Sequence, residues 1–112
     1  MTSDRIWSVH LAATAEADHR DILIWTYDRF GVVQARIYEG ILNAALASLS
    51  RGPAIAGVRS ATELPGGFLK LHVRQRGGKG RHVIVFRVRG NDDTIEVLRI
   101  LHDSMDVARH LP

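Results

Sequence analysis

Apolar and polar residues alternate from Ile6 to Leu11. Trp7, Val9 and Leu11 are apolar, Ser8 and His10 are polar, and Ile6 adds β-propensity. A period of two predicts a strand. The period then lengthens. Ile22, Leu23, Trp25, Thr26 and Phe30 form a broad stripe at helical spacing, which predicts a helix from about Ala15 to Phe30. Thr14 is the expected N-cap, with Glu16, Asp18 and Asp21 near the positive end of the helix dipole. Gly31 is placed to stop this helix. A second helix is expected from about Val32 to Leu49. Tyr38, Leu42, Ala45 and Leu49 recur along it, and Ile37, Ile41 and Ala44 make a second row beside them. Gly31 is then the corner of an αα-hairpin, and both stripes read as core.

Ser50-Arg51-Gly52-Pro53 ends the helices, and Ala54 to Pro65 reads as a connecting loop. Phe68 to Val73 is a second strand, with Leu69, Leu71 and Val73 on one face and Phe68, Lys70 and His72 on the other. Arg74 to Gly80 is a glycine-rich basic hairpin loop. His82 to Val88 is a third strand, Arg89 to Asp93 a turn, and Thr94 to Leu101 a fourth strand. Arg99 puts one charge among the large apolar residues of that last strand. The chain then turns at His102-Asp103-Ser104. Asp103 or Ser104 is expected to cap a short helix from Met105 to His110, with Asp106 and Arg109 paired three residues apart. The order is β-α-α-β-β-β plus a C-terminal helical turn. It predicts an α+β domain in which a two-helix hairpin covers one face of a small antiparallel β-sheet.

A length of 112 residues fits one domain, residues 1–112. Cysteine is absent, which removes disulfide and thiol chemistry. No apolar run approaches the roughly 20 residues of a membrane helix. The N-terminus lacks the basic start and long apolar run of a signal peptide. The expectation is a cytoplasmic protein with no membrane contact. The net charge of +3 hides an asymmetry: residues 1–50 carry 4 Lys/Arg against 6 Asp/Glu, and residues 51–112 carry 11 against 6. Between Lys70 and Arg89 seven basic residues occur with no acidic one. Such a field attracts an anionic partner or serves as a solvated face.

None of the six histidines falls into a tight metal-binding spacing, so no metal is expected. No nucleophile-elbow, Walker or dinucleotide motif occurs either, and no cofactor is expected. Metal-free RNA cleavage needs a base, an acid and cations for the phosphorane. His102 or His110 could titrate near neutrality, and Arg59, Arg81, Arg87 and Arg99 could supply charge. The same basic stretch could also hold phosphate backbones with no chemistry.

An ordered set of short motifs runs through nearly the whole chain. It comprises Ala15-Glu16-Ala17-Asp18 with Ile22, Phe30-Gly31, Ala35, Tyr38, Leu49, Pro53 and Gly57-Val58-Arg59. It continues through Glu63-Leu64, Phe68 to Val73 and Arg81-His82, and ends with Val97 to His102, Met105-Asp106 and Arg109-His110-Leu111. The set resembles toxins of the RelE/ParE superfamily, the ParE-like branch in particular. The resemblance implies a helical hairpin on an antiparallel sheet and a toxin of a bacterial type II toxin–antitoxin pair. It implies neutralisation by a cognate ParD-like antitoxin, with operator DNA met only through that antitoxin. ParE-like members poison DNA gyrase by binding, whereas RelE-like members cut mRNA in the ribosome. The tail MDVARHLP is similar to the first kind, and no tyrosine follows Tyr38, unlike the second. The implied target-binding residues are Arg81, Arg99, Asp106, Arg109 and His110. For the endoribonuclease alternative they are Arg59, Arg81 and His102. A non-catalytic inhibitor is the expected reading. Two features depart from the family pattern: His19 stands at a usually apolar position, and the loop RQRGGKGRH is long and basic.

Overall fold

The computed structural model describes residues 6–64, 66–74, 79–90 and 92–110. The basic loop expected at 74–80 therefore lies largely outside the described residues. Strand β1 (Ser8–Leu11) leads into helices α1 (Ala13–Phe30) and α2 (Val32–Ser48) and a 3-10 turn at Leu49–Arg51. Strands β2 (Val58–Ser60), β3 (Leu69–His72), β4 (His82–Arg89) and β5 (Thr94–His102) follow. A second 3-10 turn covers Val107–Arg109. The sheet order is β1-β5-β4-β3-β2. The helical hairpin thus leaves one edge of the sheet and returns the chain to the other.

The α+β class and the hairpin-on-sheet layering are as expected, and two details differ. The sheet is mixed, because β1 runs parallel to β5 while the remaining pairs are antiparallel. A parallel pair needs a long connection, which the hairpin and meander supply. There is also a fifth strand, β2, inside the expected loop from Ala54 to Pro65. Three residues bounded by glycine and turns are too few to show a period.

The core lies between the helices and the sheet. Ala15, Leu42, Ala45 and Leu49 meet Leu71, Val73, Ile84, Phe86, Ile95, Val97 and Ile100. A β-bulge explains the unbroken apolar run in β5. Phe86 pairs with Val97 and Val85 with Arg99, so Leu98 is the extra residue. The bulge shifts the alternation by one. Ile95, Val97 and then Ile100 all join the helix-side core, while Leu101 joins Val85 on the far face. Val107 of the C-terminal turn closes that far cluster.

Three local expectations are corrected. The N-cap of α1 is Ala12, with no side-chain cap, and Thr14 Oγ1 instead donates to Leu98 O at 2.8 Å. The wide helical stripes are not all core: Trp25 is 52%, Phe30 62% and Ile37 51% exposed. The sheet covers one face of the hairpin, and the fully covered helix positions are mostly small, as at Ala15 and Ala45. The expected helix from Met105 is a shorter 3-10 turn, capped by Asp106 through Ala108 N–H at 3.1 Å. Asp103 and Ser104 lie upstream of the N-cap position, and their side chains meet His72 and His102 instead.

Candidate functional site

Past Val97, β5 has lost its neighbour β1, and its backbone groups need other partners. Helix α1 runs along this open edge and supplies them. Ala12 N–H donates to Val97 O, Thr14 Oγ1 to Leu98 O, and Ile100 N–H to Asp18 Oδ2 at 2.9 Å. Asp18 also takes Arg99 side-on, with Nε at 2.7 Å and Nη2 at 3.0 Å. The third arm of the same guanidinium donates from Nη1 to the backbone oxygen of His110. One residue, Arg99, therefore ties β5, α1 and the C-terminal turn together. The Asp18 carboxylate holds the Arg99 pKa above its ordinary value. From this clamp the tail projects outward: Asp106 and Arg109 are exposed and 3.7 Å apart.

A cluster of rings sits where β3, β4 and β5 end beside α2. Arg81 N–H donates to Tyr38 Oη at 3.0 Å, so the phenol proton is directed at His82 Nδ1, 2.6 Å away. The rings of His82 and His102 meet edge to face at 5.4 Å. Ser104 N–H and Oγ both approach His102 Nδ1, at 3.2 and 2.7 Å. Arg74 N–H donates to His72 Nδ1, and His72 Nε2 then donates to Asp103 Oδ2 at 3.0 Å. In each imidazole Nδ1 is the accepting nitrogen, which leaves Nε2 to carry the ring proton. Asp103 also meets Arg81 at 3.4 Å. The His72 hydrogen bond first, and the Arg81 contacts after it, hold its carboxyl below the usual range. Burial raises the Tyr38 phenol. Burial, and then the His102 ring, lower His82 from 6.5 to about 4.

These shifts make the interior pair of the cluster a locked neutral contact rather than a proton shuttle near pH 7. They also set a pH dependence. Above pH 6.5 His82 is neutral both folded and unfolded. Between there and about 4 only the unfolded chain takes up the proton, so stability falls as pH falls. The groups facing His82 are Tyr38 of α2, His102 of β5, His72 of β3, and the carboxylates of Asp103 and Asp18. The melting temperature of the parent is expected to drop more steeply than that of His82→Gln between about pH 7 and about pH 5. Parallel curves would show that His82 does not carry the effect.

Of the residues expected from sequence, Arg81 and His102 are brought together at Asp103. Arg99 joins His110, and Asp106 joins Arg109. Arg87 is engaged by Glu96 at 2.8 Å. Arg59 stands apart, in a pocket shared with neither Arg81 nor His102. Sequence reasoning did not single out Asp18, Tyr38, His72, His82 or Asp103 as site residues. Tyr38 sits on a core stripe and His82 at a strand start, so local pattern hides both. Only the contact across 44 residues shows them as partners.

Two grooves flank the cluster. One of about 480 Å³ runs between Asp18, Trp25, Arg99, Met105 and His110. The other, of about 450 Å³, runs from Trp25, Phe30 and Ile37 to Lys79 and Arg81. Trp25, His82 and His102 line both. Among the described residues no group of three or more His, Asp or Glu side chains could hold a metal ion. No helix there is long and apolar enough to cross a membrane.

The fold is that of the toxins of type II toxin–antitoxin systems. It superposes on a chain of the RelBE2 toxin–antitoxin complex of Mycobacterium tuberculosis with a TM-score of 0.59 and 18% identity, covering 87% of this chain and 98% of that one. It superposes on a chain of the chromosomal ParDE system of P. aeruginosa with a TM-score of 0.58 and 20% identity, covering 88% and 98%. In sequence, 101 residues are 38% identical to Toxin ParE1 of M. tuberculosis, covering 90% of this chain and 94% of that protein. Residues 9–107 match the family model described as the ParE toxin of the type II toxin–antitoxin system parDE, and the chain belongs to that family.

Proposed function

We propose that this ParE-family toxin arrests growth by binding DNA gyrase without catalysis, and that a cognate ParD-like antitoxin neutralises it in the cytoplasm. The observation that carries the reading is the clamp at Arg99. It fixes the C-terminal turn against α1 and β5 while leaving Met105, Asp106 and Arg109 facing solvent. A segment held rigidly and presented outward is what a target-binding element requires, because little ordering entropy is then lost on docking. Arg81 and Arg99 support it from the sheet. The neighbouring groove offers the antitoxin an apolar floor at Trp25, Phe30 and Ile37 with Lys79 and Arg81 at one end, which suits an amphipathic acidic segment. The ParDE system among the similar structures accords with such a pairing.

Endoribonuclease action is the second reading, and one observation favours it: Arg81 and His102 converge on Asp103. Against it stand the half-buried Tyr38–His82 pair, whose shifts keep it neutral, and the separate position of Arg59. The test is supercoiling of relaxed plasmid by purified gyrase. Adding the chain is expected to stop the reaction, and adding the antitoxin to restore it. Unaffected supercoiling, with cleavage of mRNA on added ribosomes, would replace the first reading by the second.

A further inference from the structure

Of the eleven arginines among the described residues, six have a charged or aromatic partner. Arg20, Arg81, Arg87, Arg99 and Arg109 each meet a carboxylate, and Arg29 lies over the Trp25 ring at 4.9 Å. Among the described residues, Arg36, Arg51, Arg59, Arg74 and Arg89 are left without either kind of partner. Three of these five line one pocket of about 470 Å³, and no carboxylate lines it. Arg51 comes from the first 3-10 turn, Arg59 from β2 and Arg74 from just beyond β3. The pairing of Val58 with Leu71 and Arg59 with Lys70 sets β2 beside β3, and all three arginines line the pocket at that edge of the sheet.

The surroundings do not quench this charge. Lys70 is held by Glu63 at 3.1 Å. His72, on the pocket wall, donates to Asp103, and that carboxylate also meets Arg81, so it is not turned to the three arginines. Three like charges facing one space repel, and a bound anion relieves that repulsion.

We propose that this pocket binds phosphate groups of a nucleic-acid backbone. Guanidinium forks match phosphate oxygens in geometry as well as charge. The sequence around it is basic throughout, with no acidic residue from Lys70 to Arg89. No Phe, Tyr or Trp lines the pocket, and the His72 ring is already engaged by Arg74 N–H and Asp103, so contact is chiefly with the backbone and largely independent of sequence. An acidic peptide fits less well. The large exposed apolar side chains lie on the helical hairpin, apart from Ile6 and Met105, and none of them lines this pocket, where Leu71 is buried. The inference goes beyond the gyrase reading and does not depend on it.

The test is fluorescence anisotropy of the free chain with a short labelled DNA duplex, and with a labelled RNA strand of the same length, at several salt concentrations. Each phosphate contact on the duplex contributes about 0.9 to the slope of log affinity against log salt. The triple variant R51Q/R59Q/R74Q is expected to lose about 2 to 3 units of that slope and at least about tenfold in affinity. R36Q/R89Q, altered outside the pocket, is expected to bind as the parent does. The ratio of duplex to RNA affinity identifies which backbone the pocket prefers. Parent-like binding by the triple variant overturns the proposal. So does displacement of the duplex by polyglutamate at lower charge concentration, which would mark a site for acidic protein. Should the triple variant not fold, R59Q and R74Q are each expected to lower the slope by about 0.9, and unchanged slopes in both overturn the proposal.

Discussion

Replacing Asp18 with alanine is expected to lower stability by about 3 kcal/mol, a fall in melting temperature of about 10 to 15 °C for a chain of this size. The Asp18 and Arg99 side chains are only 15% and 22% exposed, so water replaces the lost partner poorly. The substitution removes two hydrogen bonds to the guanidinium and leaves Ile100 N–H without its acceptor. An unpaired, largely covered cation and an orphaned backbone donor are both costly. Asp18→Asn keeps one acceptor but loses the charge and the second acceptor, so its loss should be smaller than that of the alanine variant, about 2 kcal/mol. Thermal unfolding of the three proteins decides the matter. An alanine variant melting within about 2 °C of the parent would show that the clamp does not stabilise the fold.

The second large effect concerns the tail. The double substitution Arg109→Glu and His110→Ala is expected to raise survival of cells induced for the toxin by at least about a hundredfold, with an unchanged melting temperature. Truncating a central interface arginine commonly costs about 2 to 4 kcal/mol, and reversing its charge costs no less. Arg109 is 83% exposed, and its 3.7 Å contact with Asp106 contributes little to folding. These positions are preferred to deletion of residues 105–112, which would also strip Val107 from Val85 and Leu101. Asp106 is left in place because it caps the turn. Undiminished killing by the double variant would remove the tail from the target surface.

Elements with a sustained period were legible in the sequence. The helical hairpin, the corner at Gly31 and the three-stranded meander all follow from spacing and turn residues. What escaped was set by contacts between distant residues. Thr14 is a good cap by composition, yet the open edge of β5 claims its hydroxyl for Leu98. The run from Val97 to Leu101 does not alternate, and only the bulge opposite β4 explains why. Trp25 and Phe30 share a stripe with buried neighbours, but a single sheet cannot cover so wide a face. The site followed the same rule. The tail residues could be named from the family motif, whereas the Asp18–Arg99 clamp joins positions 81 apart and no local pattern marks it. The arginine pocket was visible only as an excess of basic charge.

The central claim is that the chain stops growth through DNA gyrase. It is tested most directly by pulse-labelling bacteria induced to express the toxin without antitoxin, following DNA and protein synthesis separately over the first minutes. Arrest of DNA synthesis ahead of protein synthesis, with damage signalling, is the predicted result. Arrest of protein synthesis first would contradict it and point to Arg81 and His102 as the working site.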